Sequence, residues 1–366
     1  MLVNQKTIYT REDLVNLDFG FDPSIIIMFA SPGYGDLQES LDDIEKEYPS
    51  TCLSGCSTSG EIQDINVLDN SLILNAIKFE STKHKLLSQN LKDHNNSYEL
   101  GVKLFDQLNT PDLAHILILS DGLEINGADL VNVLKEHSDR SVSMTGGLAG
   151  DGDKFESTFV IKGNKYLKRE VVAIGLYGKN INVAFSSKAG RDSFGLERKV
   201  TRSKEHVLYE LDGKPALELY KYYLGEKAKY LPGSELLFPI SLRNSAKQKP
   251  VIRTILGVDE KESSLTFAGN IPEVSYAGLM KANIDRLING AEDSAITIKK
   301  NKAPAADFAL LMSCVGRRLV LKQMVEEEIE AVRDVLGEKP IISGFYSYCE
   351  LAPFEEFTLV SYTIKQ

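Results

Sequence analysis

The 366-residue sequence has no tryptophan, four cysteines and five histidines. Each shortage excludes something. Four cysteines (Cys52, Cys56, Cys314 and Cys349) are too few to staple a chain this long, so they read as reduced thiols in a cytoplasmic protein. The Cys52-x3-Cys56 spacing is poor for zinc, and no nearby His or Cys pair completes a site. No window approaches the ~18 apolar residues of a membrane span, and the N-terminus lacks the apolar stretch of a signal peptide. Basic residues are outnumbered, 42 Lys and Arg against 52 Asp and Glu, for a formal net charge of −10. That balance argues against nucleic acid, whose phosphates need a basic stripe, and against anionic membrane surfaces. The patterns G-x-x-x-x-G-K-[ST], G-x-G-x-x-G and G-x-S-x-G are all absent, so neither a phosphate-cradling loop nor a serine nucleophile elbow has a candidate.

What the sequence does contain is a repeat. SIIIMFA at Ser24 to Ala30 is an apolar run of strand length, and Asp36 to Tyr48 has helical spacing through Leu37, Leu41 and Ile44. Thr51 to Ile62 then reads as a short strand entering a turn, and Leu72 to Phe79 as a further strand. The order returns at Ala114 to Leu119, Ala128 to His137 and Ser141 to Gly152, followed by strands at Phe155 to Ile161 and Val171 to Tyr177. A third copy runs through Phe308 to Ser313, Val325 to Leu336, Pro340 to Leu351 and Phe357 to Ile364. Ile25 to Gly55 spans 30 residues, Ile116 to Gly146 spans 30, and Phe308 to Gly344 spans 36. Each turn ends in an acid: Glu61, Asp151 and Glu350.

Between the second and third copies, Ser186 to Ser203 is rich in Gly and charge and reads as a crossing between domains. Glu205 to Leu224 reads as helical, with Pro215 near a helix start and Asp212 placed to cap it. Strands are expected at Leu236 to Leu242, Val251 to Val258 and Ser264 to Ala268, and a short helix at Ala282 to Asn289. Ile296 to Lys302 reads as solvated and leads into a loop at Ala303 to Ala306. The expected fold is α/β (mixed α+β), with two domains, 1–200 and 201–366, built from repeated β-α-β-β units whose sheets are flanked by helices.

Glycine-rich strand ends let backbone N–H groups approach a ligand, and in α/β sheets such turns line the binding crevice. Here they also carry hydroxyls and acids. The candidate ligand-binding residues are Cys56, Ser57, Thr58 and Glu61 in the first turn, Gly147 and Asp151 in the second, and Tyr346, Tyr348 and Glu350 in the third. This set suits a small polar molecule with a positive group; the alternative is ordinary turn residues with solvated acids. Arg317, just past a strand end, and Arg253, inside PVIRTIL, are the candidate partners for a ligand carboxylate, unless each forms a structural ion pair. Cys56 and Cys314 make a thiol enzyme the rival reading, but a thiolate nucleophile needs a nearby His. None of His84, His94, His115, His137 and His206 falls in a motif.

Five segments in this order resemble the FIST sensory domain over nearly the whole chain. They are GCSTSGEI (Gly55 to Ile62), GGLAGDG (Gly146 to Gly152), ELDGKPALELYKYYLG (Glu210 to Gly225), ALLMSCVGR (Ala309 to Arg317) and GFYSYCEL (Gly344 to Leu351). The resemblance implies an intracellular receptor for a small ligand, amino acids being proposed, rather than an enzyme. It implies no resident cofactor, although haem-binding nitric-oxide sensors occur in the family, and His206 is the histidine nearest a motif. It implies an output partner such as a histidine kinase, a chemoreceptor or a cyclic-di-nucleotide enzyme. No such output segment, and no F-box before the first strand, is present, so a stand-alone sensor is expected, its acidic surface meeting a basic patch on the partner. Two departures from the family pattern stand out. Cys349 replaces a glycine in the last motif, which would strain the turn if that position needs positive φ. Glu355-Glu356-Phe357-Thr358 replaces a His-Asn-Gln-Thr-like run, which would favour a more cationic ligand if that run touches it.

Overall fold

Each repeat folds into a parallel strand pair, and each pair is the centre of its own sheet. Ile25–Ala30 pairs in parallel with Cys52–Ser57, Leu113–Ser120 with Ser143–Leu148, and Phe308–Cys314 with Ile341–Ser347. The crossover helices are Leu37–Glu47, Gly127–His137 and Val325–Leu336. The third repeat is longer because an extra helix, Val315–Leu321, precedes its crossover. The structure, a computed structural model, describes residues 1–138, 142–188, 191–231, 238–245, 250–253, 255–267, 269–300, 306–352 and 359–365.

The three sheets exchange strands in a cycle. After the first turn the chain crosses to the third sheet, where Glu61–Gln63 pairs with Ile341–Ser347. After the second turn it crosses to the first sheet, where Val160–Lys162 pairs with Cys52–Ser57. After the third turn it crosses to the second sheet, where Cys349–Leu351 pairs with Ser143–Leu148. The inner faces of all three sheets share one apolar cluster that includes Ile27, Phe29, Leu117, Ile174, Leu310 and Phe345. Phe29 of the first sheet stacks on Phe345 of the third, ring centres 4.8 Å apart. Alternate residues face outward onto helices: Ile26 and Met28 with Leu41, Ile116 and Ile118 with Leu104 and Leu130, and Leu311 and Ile342 with Ala291 and Ile329. Covering on both faces explains why these strands read as continuous apolar runs.

The intervening stretch differs from expectation. The supposed crossing at Ser186 to Ser203 is mostly the long strand Arg191–Lys204 of a fourth, antiparallel sheet. Its register shifts between Phe194 and Arg198, where Gly195 has φ +81°, and its charges form cross-strand pairs, Arg198 with Asp212 and Arg202 with Glu210. An antiparallel sheet with one solvated face tolerates such a composition. Only Ala216–Leu224 of the expected helix at Glu205 to Leu224 is helical; Val207–Leu211 is a strand. Asp212 does not cap that helix, because its carboxylate is held by Arg198 and by the Lys199 N–H. The expected short helix at Ala282 to Asn289 is Ile284–Lys300, 17 residues long, because Leu287, Ala291, Ala295 and Ile298 carry its buried stripe onward. Ile296 to Lys300 therefore belongs to a helix rather than to a solvated loop, and most of the loop expected after it lies outside the described residues. The strand expected from Phe155 begins only at Val160.

Candidate functional site

The three turns meet, and they meet by bonding to one another. Ser59 N–H donates to the Tyr346 carbonyl, and Tyr346 N–H donates to Gly60. Gly150 N–H donates to the Ser57 carbonyl, and Tyr348 N–H to Leu148. The recurring glycines are explained by strand packing rather than by ligand access. A Cβ on Gly55, Gly146 or Gly344 would stand 2.1, 2.1 and 1.9 Å from the carbonyl oxygen of Met28, Ile118 and Leu311 on the paired strand. Gly147 is needed for contact between repeats, since its Cβ would meet the Phe345 ring at 2.8 Å.

The side chains of the junction are enclosed. Cys56 lies in the shared inner core, and the Ser57 hydroxyl accepts the Phe159 N–H at 3.1 Å. Glu61 is fully buried, accepting from Ser71 Oγ at 2.7 Å and from the Thr58 hydroxyl. Burial pushes its carboxyl up to about 7 against the pull of those two hydroxyls. Asp151 accepts three backbone N–H groups, from Phe155, Glu156 and Ser157 at 2.7–2.9 Å, together with the Tyr348 hydroxyl. That wrapping is what keeps Phe155 to Thr158 out of a strand. Glu350 is buried and accepts from Ser347 Oγ at 3.4 Å. Cys349 lies in an extended strand with φ outside the left-handed region, so the strain foreseen for it does not arise.

The two candidate cations separate. Arg317 is fully buried on the outer side of the third sheet, paired with Glu328 and donating to the Leu287 carbonyl at 2.6 Å. Tyr346 Oη donates to the same Glu328 at 2.9 Å and Ser313 Oγ at 3.2 Å. The Arg317 charge is thus matched by Glu328 within the protein. The neighbouring Arg318 clasps the first turn instead, donating to the Ser59 carbonyl at 2.6 Å and to both oxygens of Asp69. Arg253 is half-buried and has no carboxylate partner among the described residues. Among the described residues it donates only to the Asn270 and Ile252 carbonyls, both at 3.4 Å.

A cleft of about 200 Å³ opens between the second repeat and the antiparallel sheet, and Arg253 packs against Gly269 of its lining. One wall is the loop Gly122 to Gly127, which leads into the crossover helix Gly127–His137. Asp121 fixes this loop by accepting the Leu123 and Glu124 N–H groups at 2.8 and 3.1 Å. The opposite wall is His206, Thr266, Phe267 and Gly269, and Tyr348 of the third turn closes one end. Asn126 donates across the cleft mouth to Asn270 at 3.2 Å.

Residues 24–214 match the FIST N domain and residues 216–353 match the FIST C domain. The chain belongs to the FIST family. FIST domains are sensory domains of signal-transduction proteins. A relative from Methanocaldococcus jannaschii, itself uncharacterized, is 23% identical over 329 residues, which is 83% of this chain. The chain spans 62% of that relative's length. In FIST terms, the Gly122 to Gly127 wall comes from FIST N, and His206 lies near that region's end. Thr266, Phe267, Gly269, Tyr348 and Arg253 come from FIST C.

The cleft does not fit a haem. Small-molecule pockets commonly run from ~300 Å³ upward, and a haem needs an apolar slot beneath an axial ligand, whereas His206 is exposed at the rim of a smaller cleft. The thiols do not favour nucleophilic chemistry. Burial pushes Cys52 up to about 12 and Cys56 well above the ordinary thiol value, the opposite of thiolate activation. Among the described residues, no helix is long and apolar enough to cross a membrane.

Sequence reasoning missed the Gly122 to Gly127 loop, Asn270, Arg318 and Glu328. Glu328 had a signal, because helical spacing places it one residue before buried Ile329 and four before buried Val332. The loop had none, since its walls meet only in three dimensions.

Proposed function

We propose that this FIST protein is a stand-alone cytoplasmic sensor that binds a small, polar, amino-acid-like ligand and reports it to a separate output protein. The carrying observation is the cleft at the seam between the FIST N and FIST C regions, beside an arginine without a carboxylate partner. Its volume suits a molecule of amino-acid size better than a nucleotide. Because regions 1–200 and 201–366 share strands and a core, the ligand would shift the antiparallel sheet against the second repeat rather than one region as a whole against the other.

In this reading Tyr348 contacts ligand, and Arg253 backs the Gly269 wall. Cys56, Ser57, Thr58, Glu61, Gly147, Asp151 and Glu350 relay the change, because Tyr348 belongs both to the cleft and to the three-turn junction. Cys314 and Tyr346 pack behind that junction, and Arg317 holds the helix that backs it. The output protein would be a histidine kinase, a chemoreceptor or a cyclic-di-nucleotide enzyme, the classes to which the family resemblance points.

Thermal-shift screening against amino acids and related metabolites tests the reading. A ligand at 100 times its Kd stabilises by about 2.7 kcal/mol. Filling the cleft with Thr266→Phe should abolish the shift. Equal stabilisation of wild type and Thr266→Phe would place the ligand elsewhere and sink the proposal.

A further inference from the structure

A groove of about 700 Å³ lies between the edges of the first and second sheets. We propose that it takes an extended acidic segment of a partner protein, added as a strand along the free edge of Lys83–Asn90. The groove shares no lining residue with the cleft, so the inference is independent of the ligand read there.

Both flanking strands are edges. Lys83–Asn90 pairs along one side only, with Glu170–Tyr177, and Lys165–Leu167 along one side only, with Val160–Lys162. Antiparallel pairing uses the N–H and C=O groups of alternate residues on each side of a strand. Half of those groups in Lys83–Asn90 are therefore left along its outer side, where no backbone bond is made among the described residues. His84, Leu86 and Ser88 line the groove, so an added strand would continue their alternation. The floor is apolar, because Leu86, Leu167 and Cys52 all pack on the cluster shared by the three sheets. An incoming strand can thus pair through its backbone and set alternate apolar side chains on that floor.

The rims select the sign. Residues 83–92 carry three Lys and no acid, and residues 161–169 carry three Lys, one Arg and no acid, in a chain of net charge −10. Arg169 is paired with Glu124, but none of the six lysines forms an ion pair among the described residues. Lys162 Nζ donates to Ser88 Oγ at 2.9 Å, joining the two strands, and Lys85 Nζ donates to the Gln107 carbonyl at 2.9 Å. Two carboxylates line the groove, Glu45 and Glu170. Glu170 is buried and accepts from Asn90 Nδ2 at 2.9 Å, which leaves Glu45 to oppose the lysines. Lysine along an edge ordinarily repels other strands, and it repels a second copy of this same edge. A strand bearing carboxylates turns that guard into recognition. The open backbone edge favours a peptide over a nucleic acid, whose phosphates would use the lysines and leave the edge unpaired.

Fluorescence anisotropy with eight-residue peptides tests the assignment on the full chain. A peptide alternating glutamate with valine should bind at least tenfold more tightly than its glutamine–valine and lysine–valine counterparts. Methylating every second backbone nitrogen blocks one edge of the peptide, so of the two possible isomers one should lose at least tenfold and the other stay within threefold. Lys162→Glu combined with Lys165→Glu should weaken the acidic peptide at least tenfold, and both side chains are exposed, so the melting temperature should hold. If that variant fails to fold, the methylated isomers on the wild-type protein still decide. No binding of the acidic peptide, or equal binding of the glutamine–valine peptide, overturns the proposal. Isomers that bind alike would rule out strand addition, and a thymidine octanucleotide that binds as tightly as the acidic peptide would reassign the groove to polyanions. Self-association of the protein that the double variant abolishes would make a second copy the occupant and sink the proposal.

Discussion

The Tyr348 hydroxyl donates to the Asp151 carboxylate, and its ring lies on Phe155 with centres 4.4 Å apart and planes 14° from parallel. One side chain of the third repeat thus holds the turn of the second while also lining the cleft. Tyr348→Phe keeps the stacking and removes the bond. A hydrogen bond to a charged group contributes about 1.5–3 kcal/mol, so the variant should lose about 2 kcal/mol. Asp151 retains its three backbone donors, so the turn should survive, and urea denaturation should show a lower midpoint with an unchanged m-value. A loss below about 0.5 kcal/mol would mean that the bond does not couple the repeats.

Glu61 gives the stability an unusual pH dependence. Its folded pKa of about 7 lies above the ordinary value near 4.3. Between those values the folded protein keeps a proton that the unfolded chain has released, so stability falls as pH rises through the window. His115 acts in the opposite sense. It is buried between Ser143 and Thr145 and driven down to about 3, so the unfolded chain holds the extra proton between pH 3 and 6.5. Comparing wild type with Glu61→Gln cancels the histidine. The gap should move in favour of the variant by on the order of 3 kcal/mol between pH 4.5 and 7.5. A gap that does not change with pH would show that Glu61 is ionised in the folded protein.

The parallel-pair glycines separate packing from conformation. Gly55→Ala sets a methyl group 2.1 Å from a backbone oxygen that cannot turn aside, and overpacking of this kind costs about 1–3 kcal/mol or more. Gly146→Ala should behave likewise, because the contact recurs, and Gly344→Ala should cost more, since its φ of +158° adds backbone strain to the same contact. Gly35→Ala, where no atom lies within 4 Å and φ is not positive, should be neutral or slightly stabilising. Thermal melts of the four variants give the comparison, and similar melting temperatures for all of them would remove the packing account.

Much of this was legible in the sequence, for an identifiable reason. The parallel strands are covered on both faces, so they write themselves as apolar runs such as IIIMFA and FALLMS, and equal spacing exposes the repeat. The antiparallel sheet was misread where charge and Gly195 suggested a linker, because a strand with one wet face carries charge freely. The turns were found as a set, but their partners were not. Glycine beside a strand end looks the same whether it admits a ligand or a neighbouring carbonyl, and only the Met28, Ile118 and Leu311 oxygens distinguish the cases. The sequence could not rank Arg317 against Arg253. The difference lies in Glu328, which reaches Arg317 across a helix packing that no local pattern encodes.

That pair gives a sharp test. Arg317 and Glu328 are both fully buried, and removing one partner from a buried pair costs about 3–5 kcal/mol because the other charge is left unmatched. Arg317→Met and Glu328→Leu should each destabilise by that order. The double variant should be less damaging than the sum by at least 2 kcal/mol, since neither charge is stranded. Additive losses in a double-mutant cycle would show that the two side chains do not act as a pair.

The strand exchange makes a prediction about the whole chain. Residues 1–214 carry the FIST N match, yet within that piece Glu61–Gln63 would lack Ile341–Ser347, and Asn182–Ser187 would lack Leu359–Lys365. The inner cluster would also lose Phe308, Leu310, Met312 and Phe345, leaving Phe29 and Leu117 facing water. Exposed apolar surface beside unpaired strand edges favours association over folding. A 1–214 fragment should therefore aggregate or stay partly unfolded, and co-expression with 215–366 should restore a soluble complex with native melting behaviour. A monomeric 1–214 fragment that unfolds cooperatively near the melting temperature of the intact protein would show that the exchanged strands and shared core contribute little to its stability.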